Sequence, residues 1–252
     1  MIEIQGSDMR ILLLGGTTEA GALARALAAA GADAVYSYAG RTRAPVGQPL
    51  PTRTGGFGGT EGLRGYLRTE AISHVIDATH PFAARISANA VAACACAGVP
   101  LLALERPGWT EAPGDNWTRV PDLADAARAL PRDPANVFLA IGRQNLDAFA
   151  GLPHRFLLRF VDAESVPLPG AVRVVDRGPF TMAGDMALMQ AHHIGLVVAK
   201  DAGGTGARAK LDAARALGLP VILIDRPAIP ARPVAATVDE AMAWLHRADR
   251  GV

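Results

Sequence analysis

Aromatic side chains make up only 5% of this chain, while half of it is hydrophobic, so Ala, Val, Leu and Ile must pack its cores. That balance suits helices laid on parallel strands, which read as short, unbroken apolar runs. An excess of one charge is also lacking: 25 Lys and Arg stand against 24 Asp and Glu, a formal net charge of +1. So balanced a chain offers no general surface to nucleic acid or membrane, and any anion recognition must be local. Cysteine is almost absent. Cys94 and Cys96 fall on different faces of an apparent helix and make neither a zinc pair nor a disulfide framework. They read as small core residues in a reducing compartment. No apolar run reaches the length of a membrane span. The opening "MIEIQGSD" lacks the basic and apolar regions of a signal peptide. We expect a soluble cytoplasmic protein with residues 1–8 outside the fold.

Missing motifs exclude several chemistries. A short-chain dehydrogenase needs Tyr-x-x-x-Lys, but Gly40, Thr42 and Glu70 stand four beyond Tyr36, Tyr38 and Tyr66. Neither H-E-x-x-H nor a paired C-x-x-C occurs, so no metal site is expected. Without G-x-S-x-G the nucleophile-elbow hydrolases drop out.

What is present alternates. Apolar runs at 10–14, 33–38, 74–78, 100–104, 136–141, 155–160, 172–175, 196–199 and 220–224 predict strands. Ala-rich stretches between several of them have helical spacing; Ala20, Leu23, Ala24 and Leu27 fall on one helix face. Such alternation implies right-handed β-α-β units and parallel sheets. The fold class expected is α/β, two Rossmann-like domains with parallel sheets and a cleft between them. "ERPGWTEAPGDNW" (105–117) reads as the linker, giving a first domain of 1–110 and a second of 111–252. The Gly-, Pro- and Thr-rich stretch 39–60 reads as an extended functional loop. "ILLLGGTTEAGALARALAAAGADAVY" is loosely echoed by "LVVAKDAGGTGARAKLDAARALGLPVILI", as two similar halves would require.

The first of those stretches ends a strand in Gly15 and Gly16 and opens a helix with Thr17 and Thr18, without G-x-G-x-x-G or G-K-[ST]. Glycines there let a ligand approach the backbone, and the helix N-terminus offers N–H groups to phosphate. A threonine-capped turn without any ligand is the alternative. The end of the second strand decides between them. An NAD site carries an acid about 20 residues on, whereas "VYSYAGRTR" carries none and offers Ser37, Arg41 and Arg43. Guanidiniums with a hydroxyl suit a 2′-phosphate, so the reading is NADP.

"DATHPFAARISANA" (77–90) runs from a strand end through Thr79 and His80 into a helix with Pro81 in its first turn and Arg85 one turn in. At the carboxyl end of a strand, Thr79 and His80 would lie near the cofactor's reactive end. His80 could donate a proton, bind a carboxylate or cap the turn. "AKDAGGTGARAK" (199–210) closes a strand with Lys200 and Asp201 and turns on Gly203, Gly204 and Gly206. Arg208 and Lys210 follow in the first helical turn, where the macrodipole disfavours cations; glycines and two cations together point to an anion site.

"LLLGGTTEA", "DATHPFAARISANAVAACACAGVPLLALERPGW", "RGPFT" and "AKDAGGTGARAKLDAARALGLPVILIDRP" together resemble the precorrin-6A reductase family of cobalamin biosynthesis, over nearly the whole chain. Ala202 departs from the pattern, where a hydroxyl is expected. The resemblance implies an NADPH-dependent oxidoreductase acting on CH–CH bonds: hydride transfer to one C=C bond of precorrin-6A, giving precorrin-6B, with the macrocycle between two Rossmann-like domains. It implies a tetrapyrrole partner rich in carboxylates, for which Lys200, Gly203, Gly204, Arg208, Lys210, Arg85 and Arg143 are the candidate contacts. Lys200, Asp201, His80, water and the substrate's own carboxyl groups stay open as the proton source, and Lys200 could instead stabilise charge developing in the π-system. Rival readings are an NADP-dependent reductase of another small polyanion, a dinucleotide-sensing regulatory domain and a glycosyltransferase-like double Rossmann protein.

Overall fold

The computed structural model describes residues 9–40, 47–143, 146–160, 168–176 and 178–249, with side chains to 247. The chain forms two compact units. Unit 1 comprises residues 1–107 and 228–252, and unit 2 comprises 108–227.

Unit 1 holds β1 (Arg10–Leu14), α1 (Thr18–Ala29), β2 (Asp33–Tyr38), β3 (Thr52–Thr54), α2 (Gly59–Thr69), β4 (His74–Asp77), α3 (Ala84–Ala97), β5 (Leu101–Leu104), β12 (Val234–Ala235) and α7 (Val238–Asp249). Its six strands lie in the order β12-β5-β4-β1-β2-β3, and every pairing is parallel. Alternation along β1 explains its unbroken apolar run. Ile11 and Leu13 pack with α1 and α7, while Leu12 and Leu14 pack on the opposite face with residues of α2 and α3. Chain order reverses between β1 and β4, the switch point where ligands of doubly wound sheets bind beyond the carboxyl ends of the strands.

Unit 2 holds β6 (Trp117–Val120), α4 (Leu123–Arg128), β7 (Asn136–Ala140), a 3-10 turn (Leu146–Phe149), β8 (Arg155–Phe160), β9 (Val172–Val175), α5 (Met182–Ala191), β10 (Leu196–Lys200), α6 (Ala209–Ala216) and β11 (Val221–Ile224). Its parallel sheet has the order β6-β11-β10-β7-β8-β9. The switch point therefore lies between β7 and β10. Both units have the expected α/β architecture.

The division in sequence differs from a single cut near residue 110, because residues 228–252 belong to unit 1. Pairing is the reason. Val234 lies opposite Ala103 across β12 and β5, and α7 buries Ala241 and Leu245 in the core beside α1. Each sheet thus takes an outer strand out of turn: β6 follows β5 but pairs with β11, and β12 follows β11 but pairs with β5. Position in the sheets also corrects the internal echo. β1 is the strand before the switch in unit 1, whereas β10 lies beyond it in unit 2 and corresponds to β4. The loops after β4 and β10 are the equivalent pair, and the glycine loop after β1 corresponds to the segment after β7 that contains Gly142 and Arg143.

Candidate functional site

In unit 1 the loop between β1 and α1 is shaped by Tyr36. Its hydroxyl accepts the Gly16 N–H at 2.8 Å, and its ring fills the space above Gly15. A Cβ on Gly15 would stand 2.1 Å from Tyr36 Cζ, so this glycine serves packing rather than a ligand. Gly16 is the opposite case. It is exposed, has a φ of +122°, and an added Cβ would meet no atom within 4 Å. Thr17 caps α1 by accepting the Ala20 N–H, and its hydroxyl donates to the Ala78 carbonyl at 2.8 Å. That oxygen ties the loop to the end of β4 and is already engaged. Thr18 is exposed at the start of α1, whose first turn leaves N–H groups without partners inside the helix. Burial pushes the Tyr36 phenol up to about 12, against the lowering effect of the Gly16 N–H.

Ser37 lies one residue before the end of β2 and is only 5% exposed. Its register partner on β3 is Arg53, whose Nη1 donates to Ser37 Oγ at 2.8 Å and to the Gly55 carbonyl at 3.0 Å. Nη2 reaches the Gly56 carbonyl, and the guanidinium stacks 3.9 Å over Phe57. Arg53 was hidden in the sequence by the Gly-, Pro- and Thr-rich stretch around it, where β3 and the start of α2 replace the expected loop. The signal available was "TRTGG", a cation between β-branched residues ahead of a glycine pair. Arg41 and Arg43 lie outside the described residues.

Beyond β4 the chain turns before α3 begins at Ala84, three residues later than Pro81, because the Ala83 N–H bonds back to His80. Thr79 donates both its N–H (3.1 Å) and its hydroxyl (2.7 Å) to Asp77 Oδ1, closing a local turn. His80 is exposed, and its Nδ1 accepts the Phe82 N–H at 3.2 Å, which puts the proton of a neutral ring on Nε2. Arg85 is exposed on α3.

In unit 2 the loop after β10 contains two different kinds of residue. Asp201 is 3% exposed, and both carboxylate oxygens accept hydrogen bonds: Oδ1 from the Trp109 N–H (2.9 Å) and Oδ2 from Arg119 Nη2 (2.7 Å). Gly108 lies against the same carboxylate, where a Cβ would come to 2.9 Å. So held, Asp201 ties the loop after β10 to Trp109 and Arg119. Gly203 and Gly204 turn with φ of +66° and +65°, and the Gly204 carbonyl accepts the Trp109 indole N–H at 2.7 Å. Lys200 is half-buried at the carboxyl end of β10.

Arg208 and Lys210 depart from the expected anion site. Arg208 pairs with Asp212 at 3.1 Å and Asp115 at 3.6 Å, which answers the unfavourable helix terminus from within unit 2. Lys210 points inward, 6% exposed, with Nζ donating to the Ala207 carbonyl at 2.6 Å and lying 5.3 Å from the Trp109 ring centroid. Burial, reinforced by Arg159 and opposed by Asp185, lowers its amine to about 8. Arg143 is exposed after β7. Among the described residues no group of His, Cys, Asp and Glu could hold a metal ion, and no helix is long and apolar enough to cross a membrane.

The model of the precorrin-6x reductase CbiJ/CobK family matches residues 10–246. The precorrin-6A reductase of Rhodobacter capsulatus is 62% identical over 245 residues, covering 96% of this chain and 97% of the relative. That of Rhodococcus erythropolis is 48% identical, with 94% and 97% covered. The cobalt-precorrin-6A reductase of Priestia megaterium is 30% identical, with 92% and 96% covered. A solved CobK precorrin-6A reductase superposes with a TM-score of 0.91 at 62% identity, covering 97% of this chain and 98% of the other.

Proposed function

The chain belongs to the precorrin-6x reductase family, and from that premise we propose that it reduces precorrin-6A to precorrin-6B in cobalamin biosynthesis, with NADPH as the hydride donor. The observation that carries the cofactor is Gly16: an open backbone position at the switch point of a parallel sheet, at the threshold of α1. Gly16 and Thr18 would hold the pyrophosphate, with Gly15 and Thr17 shaping the loop. Ser37, with Arg41 and Arg43, would lie toward the adenosine ribose, and Thr79 toward the nicotinamide. When bound, NADPH supplies the hydride for one C=C bond of the macrocycle, and a proton completes the reduction.

The protein's part is orientation and charge. Lys200, at the carboxyl end of β10, would stabilise negative charge developing in the conjugated system or deliver the proton. His80, which carries its proton on Nε2 in the neutral ring, is the second candidate donor. Asp201 acts as a positioning residue for the loop that carries Lys200, Gly203 and Gly204. Arg85 and Arg143 are exposed and suit the substrate's carboxylates; Arg208 pairs with Asp115, and Lys210 is buried with its amine on the Ala207 carbonyl. The enzyme works in the cytoplasm, where reduced cofactor is maintained. The test is anaerobic oxidation of NADPH by the purified protein with precorrin-6A, beside an NADH control. Consumption with the spectral change of a shortened conjugated system is expected. Tight NADPH binding without consumption would overturn the substrate, and a smaller polyanion would then be the alternative.

A further inference from the structure

The "RGPFT" segment contributes to the family resemblance, yet neither the cofactor reading nor the proton reading uses it. A cavity adjoins it. In unit 2 the end of β8, residues 176 and 179–181 and one side of α5 line a cavity of about 410 Å³, at the lower end of the range of small-molecule sites. Its lining is of two kinds. Pro179, Phe180, Ala187 and Leu188 are apolar, and Arg159 is the one cation among the described lining residues.

Arg159 is prepared for an anion. It is the penultimate residue of β8, and its side chain is only 9% exposed. Nη1 donates to Asp185 Oδ1, while the guanidinium lies 3.6 Å over the Phe180 ring and 5.3 Å from the Phe138 centroid. Asp185 engages the fork at one point only. Its Oδ2 is buried without a partner, and no other acceptor for Arg159 is present among the described residues. A planar fork held by an ion pair and a ring, with donors to spare, is preorganised for a second carboxylate. Charge agrees. Lys210 lies near the same pair with its amine on the Ala207 carbonyl, so Asp185 stands against two cations. Asp176, the other acid of the lining, is exposed, and salt and water screen it.

Position and size select the ligand. The cavity reaches the carboxyl ends of β8 and β9, the edge at which doubly wound sheets bind ligands. β7 lies between β8 and β10. The pairing of Phe138 with Leu157 and of Ala140 with Ala199, continued along the strands, sets Arg159 level with Ala199. Lys200 is then two strand spacings away, about 10 Å. A macrocycle over Lys200 is too large to enter the cavity but can extend a side arm into it.

We infer that this cavity seats one carboxylate-bearing arm of the tetrapyrrole, with Arg159 on the carboxylate and Pro179, Phe180 and Leu188 against its methylene groups. The inference rests on the reading of the substrate as precorrin-6A and adds what orients the ring over Lys200. Asp185 and Phe180 are positioning residues for Arg159.

The experiment is steady-state kinetics of the full chain with precorrin-6A varied at saturating NADPH. Binding of precorrin-6A without cofactor is followed beside it by tryptophan fluorescence. Ala187 is exposed on α5 and lines the cavity outside the ion pair. Ala187→Phe should raise KM and Kd for precorrin-6A about tenfold, with kcat and NADPH affinity within about twofold. Removing Arg159 alone would strand a buried carboxylate, so the pair is replaced together. Arg159→Met with Asp185→Leu should fold and raise the same two constants about 10- to 100-fold. A purely structural pair would change stability and leave KM and Kd alone. Unchanged KM and Kd in both variants overturn the inference and leave the substrate reading standing. A wild type that neither binds nor reduces precorrin-6A overturns that reading and the inference with it. Calorimetric titration with glutarate separates an arm from a free small acid. Millimolar or weaker binding is expected of a carboxylate detached from its ring, whereas micromolar binding that precorrin-6A does not displace would overturn the inference.

Discussion

Tyr36 and Gly15 are mutually exclusive occupants of one space: the phenol ring lies where any side chain at residue 15 would have to go. The loop after β1 therefore contains one glycine for the protein's own tyrosine and one, Gly16, that faces open space. The segment departs from G-x-G-x-x-G although it lies beside the switch point of a parallel sheet.

The two glycines should fail differently. Gly15→Ala overpacks a core and should cost about 1–3 kcal/mol, seen as a lower urea midpoint. Gly16→Ala strains the backbone by about 1–3 kcal/mol and also narrows the ligand's approach, so NADPH affinity should fall more than for any equally destabilised variant elsewhere. Equal affinity losses in the two variants would remove the distinction.

Tyr36 also sets an alkaline limit. Burial raises its folded pKa from the ordinary 10 to about 12, so the neutral phenol is the form the fold favours. The stability linked to it is complete below pH 10 and is lost as pH rises from 10 toward 12. Absorbance at 295 nm should show one of the three tyrosines ionising last, and Tyr36→Phe should remove that step.

How much of this was readable from residues alone depends on burial. β1, β2 and β8 fall on their predicted spans and the other covered strands within a residue, because continuous apolar runs are what a covered parallel strand requires; β9, exposed at a sheet edge, also falls on its predicted span because its valines keep an apolar run there. β3, β6 and β12 were not predicted. "TRT", "WTRV" and "VA" are short and lie at sheet edges, and their exposed positions leave no apolar pattern to read. Missing β12 also displaced the C-terminal helix into the wrong unit. At the site, glycines and cations could be counted but not their partners. Arg208 and Lys210 resembled an anion site until Asp115, Asp212 and the Ala207 carbonyl appeared beside them.

Asp201 and Lys200 adjoin in sequence but should separate in kinetics. Asp201→Asn keeps an acceptor for the Trp109 N–H and weakens the Arg119 contact, so a stability loss of about 1–3 kcal/mol is expected. The pH profile of kcat should keep its shape. Lys200→Gln should lower kcat about 100-fold with NADPH affinity unchanged. If Asp201→Asn instead abolishes one limb of the profile at full stability, Asp201 carries the proton and the clamp is incidental.

Lys210 offers the reverse dependence on pH from Tyr36. Burial lowers its folded amine from the ordinary 10.5 to about 8, with Arg159 adding to the effect, so the folded state disfavours the charged form. Between pH 8 and 10.5 the unfolded chain binds more protons than the folded one, and stability from this group rises with pH across that window. Lys210→Met removes the buried charge while keeping an unbranched apolar chain beside Trp109. The variant should therefore gain most over the wild type near pH 7, and that gain should shrink as pH approaches 10.5, measured by urea midpoints at fixed ionic strength. Its KM for the tetrapyrrole should stay within about twofold, since an inward amine loses no carboxylate contact. A large rise in KM at unchanged stability would place Lys210 on the substrate after all.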